Sequence, residues 1–125
     1  MYIPEALRNK KYAKYSVTDL VFLVFLKAQE NNIWLTFEDI QNKILNVYRA
    51  NGFSEGYIMK NKFYGTPTIS AAIRNIRNAN ARWDYELPDF DEVVIKRKKL
   101  NSKGYEYKLV IGDDYGKEAK YDLFK

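Results

Sequence analysis

Arg74, Asn75 and Asn78 stand on one flank of the stretch Thr66 to Arg82, TPTISAAIRNIRNANAR, and carry the side chains that read base edges. Arginine pairs bidentately with guanine and asparagine with adenine, while small residues such as Ser70 and Ala71 let a helix backbone come close to the bases. Thr68, Ser70 and Arg77 complete this candidate DNA-binding surface, with Ser70 and Arg77 suited to the sugar-phosphate backbone. No acid lies between Thr66 and Arg82. A solvated helix normally mixes Glu with its Arg and Lys for i,i+4 pairing, so the missing carboxylates are informative. An ordinary amphipathic helix with an Asn-rich surface is the plainer alternative.

A second cluster of cations follows: Lys96, Arg97, Lys98, Lys99 and Lys103. Near a hairpin tip, Lys96, Lys98, Lys99 and Lys103 can reach phosphates. Such lysines also serve to keep the edge of a sheet soluble. A third pattern, Pro88-Asp89, sixteen residues, then Glu106-Tyr107-Lys108, resembles the PD…(D/E)xK arrangement of metal-dependent nucleases. There two carboxylates hold Mg²⁺ and a lysine orients or activates water. A cross-strand charge pattern accounts for Glu106 and Lys108 more simply. His and Cys are both absent, which excludes protease triads, two-histidine metal sites, zinc fingers and disulfides. Neither GxxxxGK[ST] nor GxGxxG occurs. The expectation is a binding protein with no catalysis, cofactor or metal.

Several elements must position these groups. Thr66 as cap and Pro67 at the first helical position start the basic helix, and Ile69, Ala72, Ile73, Ile76 and Ala79 recur at the spacing of a buried face. Ser16 with Asp19 forms a capping-box pattern for a first helix to about Asn31. Within it Leu20 to Leu26, LVFLVFL, is apolar nearly all round, so the helix should be central and also offers a dimer surface. Ile33, Trp34 and Leu35 form an extended patch. Thr36 with Asp39 repeats the cap for a second helix ending near Gly52, with Ile40, Ile44, Val47 and Tyr48 facing inward. The connection 53–65 is longer than the three- or four-residue turn of a strict helix-turn-helix, which leaves room for a short extra strand or helix, or for a flexible loop that reaches a partner; its Tyr57, Ile58, Phe63 and Tyr64 suit packing. Residues 83–92 are acidic and aromatic, and Pro88 excludes a continuous helix through them. VVIKRKK and YEYKLVI then flank the turn-rich NSKG, a hairpin pattern.

The chain of 125 residues, 46% hydrophobic and 30% charged, suits one globular domain. It divides into an arm (1–15), the domain (16–111) and a tail (112–125). A net charge of +5 and a pI near 9.3 favour polyanionic partners. The longest apolar run is far short of the ~20 residues that span a bilayer, and the N-terminus lacks a signal-peptide pattern. A cytoplasmic protein with no membrane partner is expected.

The order of parts resembles the N-terminal winged-helix domain of plasmid replication initiators from Gram-positive bacteria and related phage replication and regulatory proteins. The residues that carry the resemblance are Ile3-Pro4-Glu5-Ala6-Leu7, Tyr15-Ser16-Val17, Thr36-Phe37-Glu38-Asp39-Ile40, Thr68-Ile69-Ser70-Ala71-Ala72-Ile73 and the strand pattern Val94 to Lys99. It implies sequence-specific binding of duplex DNA, often as a dimer. The expected fold is α+β, a winged helix-turn-helix with a three-helix core, a long loop between the second and third helices, and a C-terminal hairpin wing. The expected role is that of a plasmid- or phage-type regulator of replication or transcription, with double-stranded DNA and a second copy as partners. Two alternatives stand beside it: a winged-helix module or inhibitor that binds a protein partner, and the Mg²⁺-dependent nuclease.

Overall fold

Ser16 and Asp19 open the helix around which the remaining elements pack. The computed structural model describes residues 2–87, 93–100, 102–112 and 115. The arm forms α1 (Glu5–Arg8) and a 3-10 turn (Tyr12–Lys14). Four longer elements follow: α2 (Val17–Gln29), α3 (Phe37–Ala50), α4 (Glu55–Asn61) and α5 (Thr66–Arg77). Then come α6 (Ala79–Asp84), β1 (Val94–Lys98) and β2 (Tyr105–Leu109). Both capping boxes form as the sequence predicts. Ser16 and Thr36 accept from the backbone N–H of Asp19 and Asp39, and each carboxylate accepts from the cap residue's N–H in return.

α2 is buried nearly all round, with Leu20, Val21, Phe22, Phe25 and Leu26 almost wholly removed from water. It packs against α3, α5 and β2, and each such side chain contributes roughly 1.5–3 kcal/mol of transfer free energy. β1 and β2 pair antiparallel, with Val94 opposite Leu109 and Lys98 opposite Tyr105. Leu35 adds a short bridge on the other edge of β2, exchanging backbone bonds of 2.8 and 2.7 Å with Tyr107. The extended patch at 33–35 therefore joins the sheet at one residue. The arrangement is α+β and compatible with a winged-helix layout.

Four expectations change. The connection 53–65 is not a plain loop: Ser54 caps α4, and Ile58 is buried beneath it. The buried amide of Gln41 fixes the exit from α4, donating to the Lys62 carbonyl (3.4 Å) and accepting from the Tyr64 N–H (2.7 Å). The basic stretch 66–82 is two helices rather than one, because Asn78 leaves the helical conformation (ψ 140°) and caps α6 through a bond from the Asn80 N–H. Asparagine competes for its own neighbouring backbone in this way, which suits it to caps more than to helix interiors. Finally, Gly65 rather than Thr66 holds the N-cap position of α5, and Val47 is exposed rather than inward.

Asp19 does more than cap. Its carboxylate accepts from the Lys10 ammonium at 2.8 Å and from the Tyr85 hydroxyl at 2.7 Å, tying the arm and the end of α6 to the start of α2. The Tyr85 ring stacks on Phe22 with centroids 4.3 Å apart. Burial alone would raise the Asp19 carboxyl, but the hydrogen bonds from Lys10, Tyr85 and Ser16 outweigh it and hold the group below its ordinary value. A carboxylate whose pKa falls on folding adds stability that is complete above the unfolded value of about 3.9 and lost as pH falls through the folded one. Asp19→Ala should therefore cost about 2–3 kcal/mol at neutral pH, read from the urea midpoint. Asp19→Asn should flatten the loss of stability between about pH 5 and pH 2; an unchanged acid limb would show that another carboxylate governs it.

Candidate nucleic-acid interface

The face of α5 away from the core presents Thr68, Arg74 and Asn75 to solvent, with Ser70 and Ala71 half-buried beside them. Ile69, Ala72, Ile73 and Ile76 occupy the opposite face, as their spacing predicts. Ala79 belongs to α6 instead. Arg74 lies along the helix with its Nη1 3.3 Å from the Ser70 hydroxyl, and Asn75 donates to the Thr18 hydroxyl of α2 at 3.4 Å. Both bonds are long and exposed, so both side chains can turn to an outside acceptor at small cost. Asn78 is exposed, but its oxygen is engaged in capping α6.

Arg77 has a different task from the one its position suggests. It is half-buried, and its Nη2 donates to the carbonyl of the wholly buried Val94 at 2.7 Å. This bond fastens the last turn of α5 to the first residue of β1 and sets where the hairpin leaves the domain. The spacing of Arg77 on the helix matched an outward face, and only the fold supplied an acceptor from seventeen residues further on.

The hairpin separates its cations by face. Lys96 and Lys98 lie opposite Tyr107 and Tyr105, and the Lys96 ammonium sits 4.9 Å from the Tyr105 ring centroid. Ile95, Arg97, Glu106 and Lys108 alternate onto the other face. There Arg97 pairs with Glu106 at 3.1 Å and stacks 4.2 Å from the Trp34 ring, so its charge is already answered. Lys98 and Lys103 are exposed, and Lys99 is half-buried with its N–H bonded to the Gly104 carbonyl at 3.0 Å. Gly104 takes a left-handed backbone (φ 98°), which closes the six-residue connection where a side chain would be strained. Two apolar residues that the sequence did not single out are exposed: Leu100 in the hairpin loop and Trp83 on α6, the latter 85% exposed.

Of the nuclease pattern, Glu106 and Lys108 do share a strand face, but Glu106 is the partner of Arg97. Asp89 lies outside the described residues. Among the described residues no group of three acidic side chains is gathered as metal ligands would be, and no helix is long and apolar enough to cross a membrane. Compared with known proteins, the chain matches no family model, no curated protein and no solved structure.

Arg77→Ala should lower stability by about 1–2 kcal/mol, because the buried Val94 carbonyl would lose its donor. Amide exchange in β1 and β2 should accelerate more than in α2 or α3. Equal acceleration everywhere would mean that the bond does not anchor the hairpin in particular.

Proposed function

We propose that the chain is a winged-helix protein that binds double-stranded DNA sequence-specifically and acts by binding alone, as a plasmid- or phage-type regulator of replication or transcription. One observation carries this reading: the solvent face of α5 holds Thr68, Ser70, Arg74 and Asn75 without a carboxylate, and Arg77 fastens that helix to a lysine-bearing hairpin. In this reading α5 enters the major groove. Arg74 and Asn75 read bases, Ala71 permits close approach, and Thr68 and Ser70 bond to the backbone. Lys96, Lys98, Lys99 and Lys103 hold phosphates, Lys98 and Lys103 with the most freedom. Arg77 and Asn78 act indirectly, the first by fixing the hairpin and the second by ending the helix. A dimer on a palindromic site is part of the proposal, since half-site symmetry mirrors protein symmetry.

Selection from random duplex DNA at two salt concentrations tests the whole reading, and an enriched palindrome is the expected result. On the selected site Arg74→Ala should cost about 1–3 kcal/mol and relax the preference at one position. Lys98→Ala should weaken all sequences alike and reduce the salt slope by ~1. Equal losses on cognate and random DNA for Arg74→Ala would remove base reading from α5, and no retained duplex at low salt would remove DNA altogether.

A further inference from the structure

A groove between α2, α3 and the N-terminal arm takes no part in the reading above. It encloses about 560 Å³ and is floored mainly by apolar side chains, among them Leu23, Val24, Ile44 and Val47. Three large apolar residues that remain exposed line this one trough: Tyr12 at 41%, Ile33 at 42% and Val47 at 37%. Single exposed apolar side chains are ordinary, whereas several gathered in a concave patch mark an interaction site.

Shape and charge say what fits. Along α2 the lining runs from Leu20 to Ala28, eight residue rises or about 12 Å, which accommodates helix anchors at i, i+4 and i+7. The rim carries Lys27 and Lys43 with Asn31 and Asn46, and among the described residues no carboxylate lines the groove. Both lysines are exposed, and among the described residues neither forms an ion pair. A second copy docked symmetrically on this face would set these ammonium groups against their own counterparts, which disfavours it.

We propose that the groove receives an amphipathic helix from an acidic protein partner. Its apolar side chains seat on Leu23, Ile33 and Val47, and its flanking carboxylates meet Lys27 and Lys43. No lining residue belongs to α5, β1 or β2, so this partner and a polyanion can be bound together. The inference therefore stands or falls apart from the DNA reading.

The probe is a helical peptide with leucines at i, i+4 and i+7 and glutamates on both flanks, compared by fluorescence anisotropy with a twin carrying lysine for each glutamate. The glutamate peptide should bind the full chain at least roughly tenfold more tightly. Val47→Asp, a change at an exposed position checked for native circular dichroism, should abolish binding. Lys27→Glu with Lys43→Glu should invert the preference between the twins. Equal binding of the twins, or no binding of the glutamate peptide, overturns the proposal. So does sedimentation showing a dimer that Val47→Asp dissociates, which makes a second copy the occupant. A large gain in peptide affinity on removing residues 116–125 would assign the groove to the chain's own tail, with the same consequence.

Discussion

The buried carboxylate of Asp19 is the constraint on which the other parts depend. Taking a charge out of water costs several kcal/mol unless its oxygens are fully bonded, and here Ser16, Lys10 and Tyr85 all donate to it. Each donor comes from a different part of the molecule: the helix it caps, the arm, and the end of α6. Bringing them together places Tyr85 flat on Phe22, which lines up α6 with α2. A hydrophobic core alone would accept many small rotations of α5 and α6 on α2; a directional cluster accepts few.

A similar division runs through the rest of the structure. Apolar contact supplies the driving force, and a handful of polar contacts selects the arrangement. Gln41 holds both sides of the α4–α5 connection. Lys62, buried and pushed down in pKa by that burial, gives its ammonium to the Tyr15 carbonyl at 3.1 Å and lies 5.2 Å from the Tyr48 ring centroid. Glu86 adopts a left-handed backbone (φ 56°), a conformation that costs a residue with Cβ about 1–2 kcal/mol. Its carboxylate accepts from the Tyr2 hydroxyl and the Glu5 N–H, so the strained turn also fastens the arm. The outward faces of α5 and of the hairpin keep their free donors and cations because these inward groups fix the scaffold.

What could be read from the sequence was mainly local. The two capping boxes need residues three apart, and the α5 stripe and the hairpin pattern need only short windows, so all three were legible. For 53–65 a short helix, a strand and a loop all stayed open, since the seven residues of α4 are too few for a helical period to stand out from an aromatic loop. Asn78 was misplaced because the same amide that suits a base edge also suits a helix cap, and the second use wins when the chain turns there. Arg77 was placed with the outward groups because its acceptor, the Val94 carbonyl, is defined only by tertiary packing. Arg97 looked like one more free cation until Trp34 and Glu106 came to meet it. The groove was invisible for a related reason: Val47 fits the inward pattern of α3, and nothing local says that the neighbouring elements leave it uncovered.

The bond between Tyr85 and Asp19 also has a meaning in time. The two residues are 66 apart, and the Tyr2–Glu86 bond spans 84. A ribosome adding roughly 5–20 residues per second takes about 3–13 seconds to pass from Asp19 to Tyr85. During that interval the capping box and Lys10 must hold the carboxylate without its phenolic donor, and the apolar length of α2 waits for most of the surfaces that will cover it. Formation of the native state is thus deferred until Tyr85 and Glu86 have been made, and the slow non-local closures come after the helices they join. Until then the nascent chain is a set of helices in search of a partner.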